Sequence, residues 1–279
     1  MWSAASAGSA RSVWSGRSAW SGRSAWSAHE FTAAAGTRVH AAVLGPRDAP
    51  EVVCVHGLGC SHRYWLPFAR ALAPRLRTVA VDLPGFGRTR GPAHALDVRQ
   101  LSLALADWMR VTGRGPAVLV ANSVGCQVVV DLAVHSPELV GPVVLVGPTF
   151  DRHARTTPRQ LFRLLADAPA ERPSLAVALA ASYADCGLRR ALATYRYALR
   201  DPVERKLRHL RTPVVVARGS RDPIVPRAWA EEVARLLPDG RPAEVPGAGH
   251  ALNYSAPHEL AGITRGLLRR SGLPAGTDR

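Results

Sequence analysis

The sequence predicts an α/β protein built on one doubly wound, mostly parallel sheet. Short, almost wholly apolar runs rich in Val recur along the chain and end near Gly or Pro, and stretches with helical spacing separate them. Strands that are apolar on both faces are typical of parallel sheets covered by helices. With 279 residues, 47% of them apolar, the chain is long enough to bury a large core.

The predicted strands follow one another with space for a crossover helix between several of them. The apolar runs lie at 39–44, 52–55, 78–81, 117–120, 143–146 and 214–217, and a further predicted strand lies at 242–245. The helix-like stretches at 64–76, 101–111 and 124–135 are long enough to return the chain to the same edge of a parallel sheet. We therefore expect a ligand-binding or active site at the carboxyl ends of the strands, where open α/β sheets bind ligands.

One long interval, from residue 151 to 208, contains no strand-like run. Its helix-like stretches predict a helical cap inserted between late strands, which divides the sheet domain into 30–150 and 209–279. This interval holds twelve Lys and Arg residues against six Asp and Glu residues. Solvated helix faces account for most of them, but one or two could bind an anionic group of the substrate together with a cap tyrosine.

The first 29 residues differ from the rest, because an Arg-Ser-x-Trp-Ser pattern repeats with a period of six. A Ser, Gly and Ala-rich stretch without aliphatic periodicity cannot offset the entropy of ordering, so the sequence predicts a disordered tail. Three interpretations stay open for it: an expanded DNA repeat or upstream start codon, a segment that stacks on bases or lies on a membrane, and a transit peptide.

The net charge of +15 comes almost entirely from arginine, since Lys206 is the only lysine among 36 basic residues. We interpret this excess as GC-rich codon usage, because the chain is also rich in Ala, Gly and Pro, and expect no nucleic-acid partner. The four cysteines form no C-x-x-C pair and are expected to be reduced thiols. There is no run of 18 apolar residues and no secretory signal core, so we expect no transmembrane segment and a cytoplasmic protein.

Four short motifs follow predicted strands and fit together chemically. Ser123 lies in Ala-Asn-Ser-Val-Gly at 121–125, a tight strand-to-helix turn, and His-Gly-Leu-Gly at 56–59 follows an early strand. Asp222 and His250 follow the two latest strands. Each motif alone is explained by an ordinary turn, cap or surface residue, but Ser, Asp and His in this order at successive strand ends rarely arise by accident.

With these motifs and the Asp-Leu-Pro-Gly-Phe-Gly loop at 82–87, residues from about 36 to 270 resemble the α/β-hydrolase superfamily. The resemblance is to its lid-bearing branch of bacterial serine hydrolases, which are esterase-like or cleave C–C bonds. Ala121 departs mildly from that family's G-x-S-x-G pattern, where the first Gly would stand.

The resemblance implies roles for particular residues. Ser123 would be the nucleophile, His250 the general base, and Asp222 the acid that orients His250. The backbone N–H groups of Leu58 and Val124 would form the oxyanion hole. Asp151, close behind the strand at 143–146, is an alternative to Asp222, because some family members take the acid from that strand; the Asp-Pro-Ile-Val-Pro pattern at 222–226 favours Asp222.

Three aromatic residues are predicted to contact the substrate: Trp65, which follows the early turn, and the cap residues Tyr183 and Tyr195. Helix packing is the alternative for Trp65. His56 and Asp82 are expected to brace their own loops through hydrogen bonds. No His, Asp or Glu residues stand at metal-ligand spacing, so the sequence predicts neither a metal nor another cofactor.

The sequence therefore predicts a cofactor-independent serine hydrolase that cleaves an ester, lactone, thioester or activated C–C bond of a small or medium-sized molecule. A non-hydrolytic enzyme on the same fold (a lyase, cyclase, acyltransferase or cofactor-free oxygenase) is the first alternative. A hydrolase-fold binding protein is the second. Either a monomer or a homodimer is compatible with the sequence.

Overall fold

One eight-stranded sheet runs through the part of the chain that the computed structural model describes, residues 25–275 apart from 168 and 170. Its strands are β1 (Ala28–Ala34), β2 (Thr37–Leu44), β3 (Glu51–Val55), β4 (Arg77–Val81), β5 (Ala117–Asn122), β6 (Val140–Val146), β7 (Val214–Gly219) and β8 (Gly240–Val245). Their spatial order is β1-β2-β4-β3-β5-β6-β7-β8. β2 pairs antiparallel with β1 and β4, and all other neighbours are parallel.

Helices cover both faces of this sheet. They are α1 (Leu66–Leu72), α2 (Val98–Thr112), α3 (Val124–His135), α4 (Thr157–Asp167), α5 (Pro173–Cys186), α6 (Leu188–Arg200), α7 (Val203–Lys206), α8 (Arg227–Leu236), α9 (Leu252–Ser255) and α10 (Pro257–Arg270). α2, α3 and α8 pack on one face, and α1 and α10 pack on the other. The doubly wound α/β fold predicted from the sequence is confirmed.

The two faces bury separate cores, and the strand β3 shows why. Val53 and Val55 point into the core that contains α2 and α3, whereas Val52 and Cys54 point into the core that contains α1 and α10. Because successive side chains of a strand alternate between faces, a strand buried on both sides must be apolar throughout. This requirement produced the continuous apolar runs from which the strands were predicted.

Between β6 and β7 the chain forms the four helices α4, α5, α6 and α7, which we call the helical insert. It occupies the interval in which the sequence showed no strand. α6 begins directly after Gly187, a residue with φ +77° that lets α5 and α6 follow each other across a sharp turn. Among the described residues, no helix is long and apolar enough to cross a membrane.

The prediction that residues 1–29 are disordered is wrong for the last five of them, and residues 1–24 lie outside the described part of the chain. Trp26 is only 6% exposed and packs into the core beside α1 and α10. Strand β1 then starts at Ala28 and pairs along its whole length with β2. The indole supplies the apolar surface that the Ser and Ala residues around it lack.

Candidate active site

Ser123 occupies the sharp turn between β5 and α3. Its backbone has φ 55° and ψ −122°, so it lies in the left-handed half of backbone space that a residue with a side chain rarely adopts. The turn is held by hydrogen bonds from the Ser123 N–H to the Val146 carbonyl (2.9 Å) and from the Cys126 N–H to the Ser123 carbonyl (2.9 Å). The strained turn places the serine at the N-terminus of α3, where the helix dipole favours negative charge.

Small residues let the early turn approach this serine. A Cβ on Gly125 would lie 2.5 Å from the Val55 carbonyl oxygen, so only glycine allows α3 to pack this close to the end of β3. A Cβ on Gly57 would lie 3.1 Å from the Cβ of Ser123. The turn that follows β3 therefore lies directly beside Ser123, as the motifs require if the two are to act together.

The candidate oxyanion donors come from these two turns. Val124 is the first residue of α3, where a backbone N–H has no partner inside the helix. Leu58 belongs to the turn after β3, whose orientation is fixed by His56: Nδ1 of His56 donates to the Gly57 carbonyl (2.8 Å), and Nε2 accepts from the Leu83 N–H (3.1 Å). His56 thus braces its loop, as the sequence suggested.

His250 and Asp222 are hydrogen-bonded to each other. Nδ1 of His250 lies 2.8 Å from an Asp222 carboxylate oxygen, and both side chains are almost fully buried. The other oxygen of Asp222 accepts from the N–H groups of Ile224 (2.8 Å) and Val225 (3.0 Å). Because Asp222 occupies Nδ1, the nitrogen of His250 that can take a proton from another group is Nε2.

The loop that bears His250 is positioned by the ends of neighbouring strands. A Cβ on Gly147, which has φ +55°, would lie 2.7 Å from Cε1 of His250. Asn122, the residue before Ser123, donates through Nδ2 to the carbonyls of Val146 (3.3 Å) and His250 (3.5 Å). These contacts bring the carboxyl ends of β5, β6 and β8 together around Ser123 and His250.

Asp151, the alternative acid, is engaged elsewhere. Its carboxylate accepts from Arg163 (3.0 Å) and from the N–H of His153 (2.9 Å). The geometry therefore assigns the acid that contacts His250 to Asp222.

Two carboxylates that the sequence analysis did not identify also reach the His250 loop. Asp167, the last residue of α4, accepts from the His250 backbone N–H (3.0 Å), and Glu171 accepts from the Ala251 N–H (2.7 Å) and from the Ser255 hydroxyl. A lone acid at the end of an amphipathic helix, or in the loop after it, looks like any solvated residue, so nothing in the sequence indicated these contacts.

These acids change the electrostatics of the site. Burial lowers the pKa of His250, but the negative charges of Asp222, Asp167 and Glu171 together outweigh it and raise the pKa to about 9. For Asp167, burial is the main cause of a pKa raised to about 6, although His250 counteracts it. The imidazolium form of His250 is therefore favoured at neutral pH.

A cavity of about 10 Å³, roughly the room for one water molecule, lies next to the candidate oxyanion donors. Leu58 and Val124 line it together with Thr194 of α6. The hydroxyl of Thr194 is buried and has no hydrogen-bond partner among the described residues. An unpaired buried hydroxyl is costly, so Thr194 is a candidate substrate contact that the sequence analysis missed. A threonine inside an amphipathic helix gives no signal that would have revealed it.

The three aromatic residues predicted to contact the substrate have different positions. Tyr183 lies against Gly59, and its hydroxyl donates to the Leu58 carbonyl (3.4 Å), so it covers the candidate oxyanion turn. Tyr195 packs edge-on against Phe150, and its hydroxyl is buried without a partner among the described residues.

The prediction for Trp65 needs correction. Its side chain is fully buried in the core beside α1 and α10, with its ring edge-on to Phe68. The Trp65 side chain contributes to core packing and does not line the cavity. The residue ends the short 3₁₀ helix His62–Trp65, which directs its ring toward the sheet.

Several basic residues of the helical insert are engaged in other contacts. Arg163 pairs with Asp151, Arg155 pairs with Glu204, and Arg190 donates to the carbonyls of Pro92 and His94. The insert residues that contact the His250 loop are the acids Asp167 and Glu171. The structure thus gives no support to an anion-binding role for these three arginines.

Comparison with known proteins agrees with this architecture. Residues 52–263 match the model of the alpha/beta hydrolase family. A 2-(acetamidomethylene)succinate hydrolase from Mesorhizobium japonicum is 28% identical over 235 residues, which are 75% of this chain and 84% of that protein.

Solved structures show the same fold. A bacterial membrane phospholipase A superposes with a TM-score of 0.76 at 21% identity, covering 89% of this chain and 87% of the other. An esterase from Thermogutta terrifontis superposes with a TM-score of 0.74 at 19% identity, covering 90% of this chain and 100% of the other. The chain belongs to the alpha/beta hydrolase family, and it is a hydrolase.

Proposed function

We propose that the protein is a serine hydrolase that works through Ser123, His250 and Asp222. The observation that carries the proposal is the buried hydrogen bond between His250 and Asp222, on a loop packed beside the strained turn of Ser123. In such triads the acid holds the imidazole in the tautomer that presents Nε2 to the serine. The position of each group after a different strand matches this division of roles.

The proposed reaction has two halves. Nε2 of His250 accepts the proton of the Ser123 hydroxyl as its oxygen attacks the carbonyl carbon of the substrate. The N–H groups of Leu58 and Val124 stabilise the negative charge that develops on the carbonyl oxygen. His250 then gives the proton to the leaving group, which departs and leaves the acyl group on Ser123. A water molecule, deprotonated by the same imidazole, attacks the acyl carbon, and His250 returns that proton to the Ser123 oxygen as the acyl group leaves.

The surroundings of the site favour uncharged substrates. Asp167 and Glu171 make the edge beside the His250 loop acidic, which opposes binding of a carboxylate there. We therefore propose esters, thioesters, lactones or activated C–C bonds with neutral acyl groups. The relative named 2-(acetamidomethylene)succinate hydrolase supports hydrolysis as the reaction type. The substrate of this chain depends on the residues of its own site.

We propose that the helical insert acts as a cap over this site. Tyr183 contacts the turn after β3, and Arg190 reaches across to backbone carbonyls of the loop that precedes α2. Both contacts close the insert over the carboxyl edge of the sheet. Larger substrates would require these contacts to open, so the insert sets the limit on acyl size.

Labelling with a fluorophosphonate followed by peptide mapping tests the triad. We expect stoichiometric labelling at Ser123, loss of labelling in Ser123→Ala, and at least about a 10³-fold loss of nitrophenyl acetate turnover in that variant. Ser174→Ala, which changes an exposed serine on α5, is the matched control and should behave like the wild type. Labelling at another serine, or full turnover by Ser123→Ala with an unchanged circular dichroism spectrum, would refute the proposal.

A further inference from the structure

Three imidazoles gather on the side of the sheet where β1 and β2 meet the turn before α1. His29 lies on β1, His40 on β2, and His62 in the short helical turn His62–Trp65. One ring nitrogen of each lies within 4.8 Å of the others. The ring centroids of His40 and His62 are 4.7 Å apart, and those of His29 and His40 are 5.1 Å apart. Because the three residues are far apart in sequence, no local spacing revealed the cluster.

A buried carboxylate orients two of these rings. Asp82 accepts from Nδ1 of His40 (2.7 Å) and from Nδ1 of His62 (2.9 Å), and it is fully buried. The same carboxylate oxygens accept from backbone N–H groups, so the geometry makes Nδ1 of each ring the donor and leaves Nε2 of each ring with a lone pair.

This arrangement is the one that proteins use behind metal-binding histidines. A histidine that binds a metal through one ring nitrogen usually donates its other N–H to a carboxylate or carbonyl, which fixes the tautomer and the ring orientation. Asp82 does this for two rings at once. It also accepts from the backbone N–H groups of His62 (2.6 Å) and Arg88 (2.9 Å), and a Cβ on Gly87 would collide with it. The carboxylate is therefore rigidly held.

The third ring completes the set of donors. Nδ1 of His29 lies 2.9 Å from Nε2 of His40, so a proton lies between two ring nitrogens. Two imidazole nitrogens on a tetrahedral zinc ion, at bonds of about 2.0 to 2.1 Å, stand about 3.3 Å apart. For the His29–His40 pair, replacing that proton by an ion thus requires a shift of a few tenths of an ångström, whereas the third nitrogen, on His62, lies within 4.8 Å of the others and must move closer. His29 is only partly buried and can make that shift.

We propose that His29, His40 and His62 bind a divalent transition-metal ion, with Zn²⁺ preferred, and that Asp82 orients two of the three ligands. Imidazole nitrogens in a set of three suit zinc, and three protein ligands leave a fourth position open. That position faces a groove of about 430 Å³, lined by His29 and His62 and by Trp26, Arg63 and Arg88.

The arginines around the groove define the fourth ligand. A positive charge near the ion opposes binding, and three arginines line the groove: Arg63, Arg70 and Arg88. Arg63 is neutralised by its ion pair with Asp185, and the Asp82 carboxylate supplies a negative charge behind the rings. The remaining positive charge favours an anion on the open side of the ion, so the fourth ligand is a hydroxide or a carboxylate from solution.

Bound metal would join three parts of the fold. It would connect β1 and β2 to the turn that follows the candidate oxyanion residues, and an ion that binds only the folded chain stabilises it. The full-length protein, stripped with a chelator and dialysed against one equivalent of Zn²⁺, should retain about one zinc per chain and show a raised melting temperature. Co²⁺ in place of Zn²⁺ should give the visible absorption bands of tetrahedral coordination.

Variants locate the ion. His62→Gln and His29→Gln should each weaken Zn²⁺ binding at least about tenfold, and Asp82→Asn should weaken it about 10- to 100-fold through the lost orientation of the rings. His258→Gln, which changes an exposed histidine on α10, is the matched control and should bind normally.

A second measurement needs no variant. X-ray absorption of the zinc-loaded wild-type protein should show three imidazole ligands. Fewer than about 0.1 zinc per wild-type chain, an imidazole count other than three, or binding that is unchanged in folded His29→Gln and His62→Gln proteins would overturn the proposal. Circular dichroism establishes whether each variant is folded.

Discussion

At the scale of the residue, His250 is the group whose surroundings matter most for the proposed function. Asp222 binds its ring, Asp167 binds its backbone N–H, and Glu171 binds the next N–H along the chain. A general base must be neutral to accept a proton. With a pKa of about 9, only about one molecule in a hundred carries neutral His250 at pH 7. The carboxylates that order the His250 loop therefore keep most of the imidazole protonated at neutral pH, and a protonated imidazole cannot act as a base.

Asp167→Asn tests this restraint, because the amide oxygen can still accept from the His250 N–H but carries no charge. Removing a negative charge lowers the pKa of His250, so we expect kcat/KM at pH 7 to rise several-fold. The midpoint of the pH–rate profile, near 9 in the wild type, should move to lower pH. Glu231→Gln, which removes an exposed acid on α8, is the control and should leave the midpoint in place. An unchanged midpoint in Asp167→Asn would contradict the argument.

At the scale of the element, β1 depends on one anchoring side chain. The strand lies at the edge of the sheet and is only half-buried, whereas Trp26, just before it, is inserted into the core. Glu30 on β1 adds ion pairs to Arg77 (3.3 Å) and Arg114 (2.8 Å). Glu30 is 31% exposed, so solvent screens these pairs, and we expect the indole to be the main side-chain attachment of β1 beside its backbone pairing with β2.

We expect Trp26→Ala to lower the free energy of unfolding by about 3 kcal/mol, the usual cost of removing a large aromatic side chain from a core. Phe31→Ala, on the exposed side of the same strand, should cost less than about 1 kcal/mol. Urea denaturation in the presence of a chelator measures both values without a contribution from bound metal. Equal losses in the two variants would show that β1 is not anchored through Trp26.

Elements differ in how far the sequence could predict them, for physical reasons. Strands β2 to β7 were predicted because burial on both faces or close to it leaves apolar runs. β8 is mostly exposed and was placed by the Gly-rich turn with His250 that follows it. The turns at Ser123, Asp222 and His250 were found because the fold puts such residues after strands. β1 was missed because its sequence, Ala-His-Glu-Phe-Thr-Ala-Ala, is half-exposed and its anchor lies inside a repeat. The contacts of Asp167 and Thr194 depend on how the helical insert folds back, which no local pattern encodes.

At the scale of the whole molecule, positive charge is in large excess, and some carboxylates pair with more than one cation. Asp131 binds both Arg99 and Lys206, and Glu51 binds both Arg77 and Arg114. Conversely, several carboxylates surround the single imidazole of His250. Because they stabilise its protonated form, the charge on His250 affects folding as well as reactivity. The interactions that hold His250 protonated contribute to stability and oppose its action as a base.

The dependence of stability on pH follows from this coupling. His250 has a pKa of about 9 in the folded chain against 6.5 unfolded, so between these values the folded state binds more protons. The contribution of His250 to the free energy of unfolding must then fall as pH rises, by about 2 kcal/mol from pH 6.5 to 8.5. Urea denaturation across this range should therefore show the free energy of unfolding of the wild type falling by about 2 kcal/mol relative to that of His250→Gln. Four histidines whose pKa is lowered by burial shift both profiles alike in the opposite direction: His29, His40, His56 and His135. Buried thiols such as Cys126, whose pKa burial raises, affect both proteins alike at higher pH. Parallel profiles for the two proteins would show that His250 is not held protonated by its carboxylates.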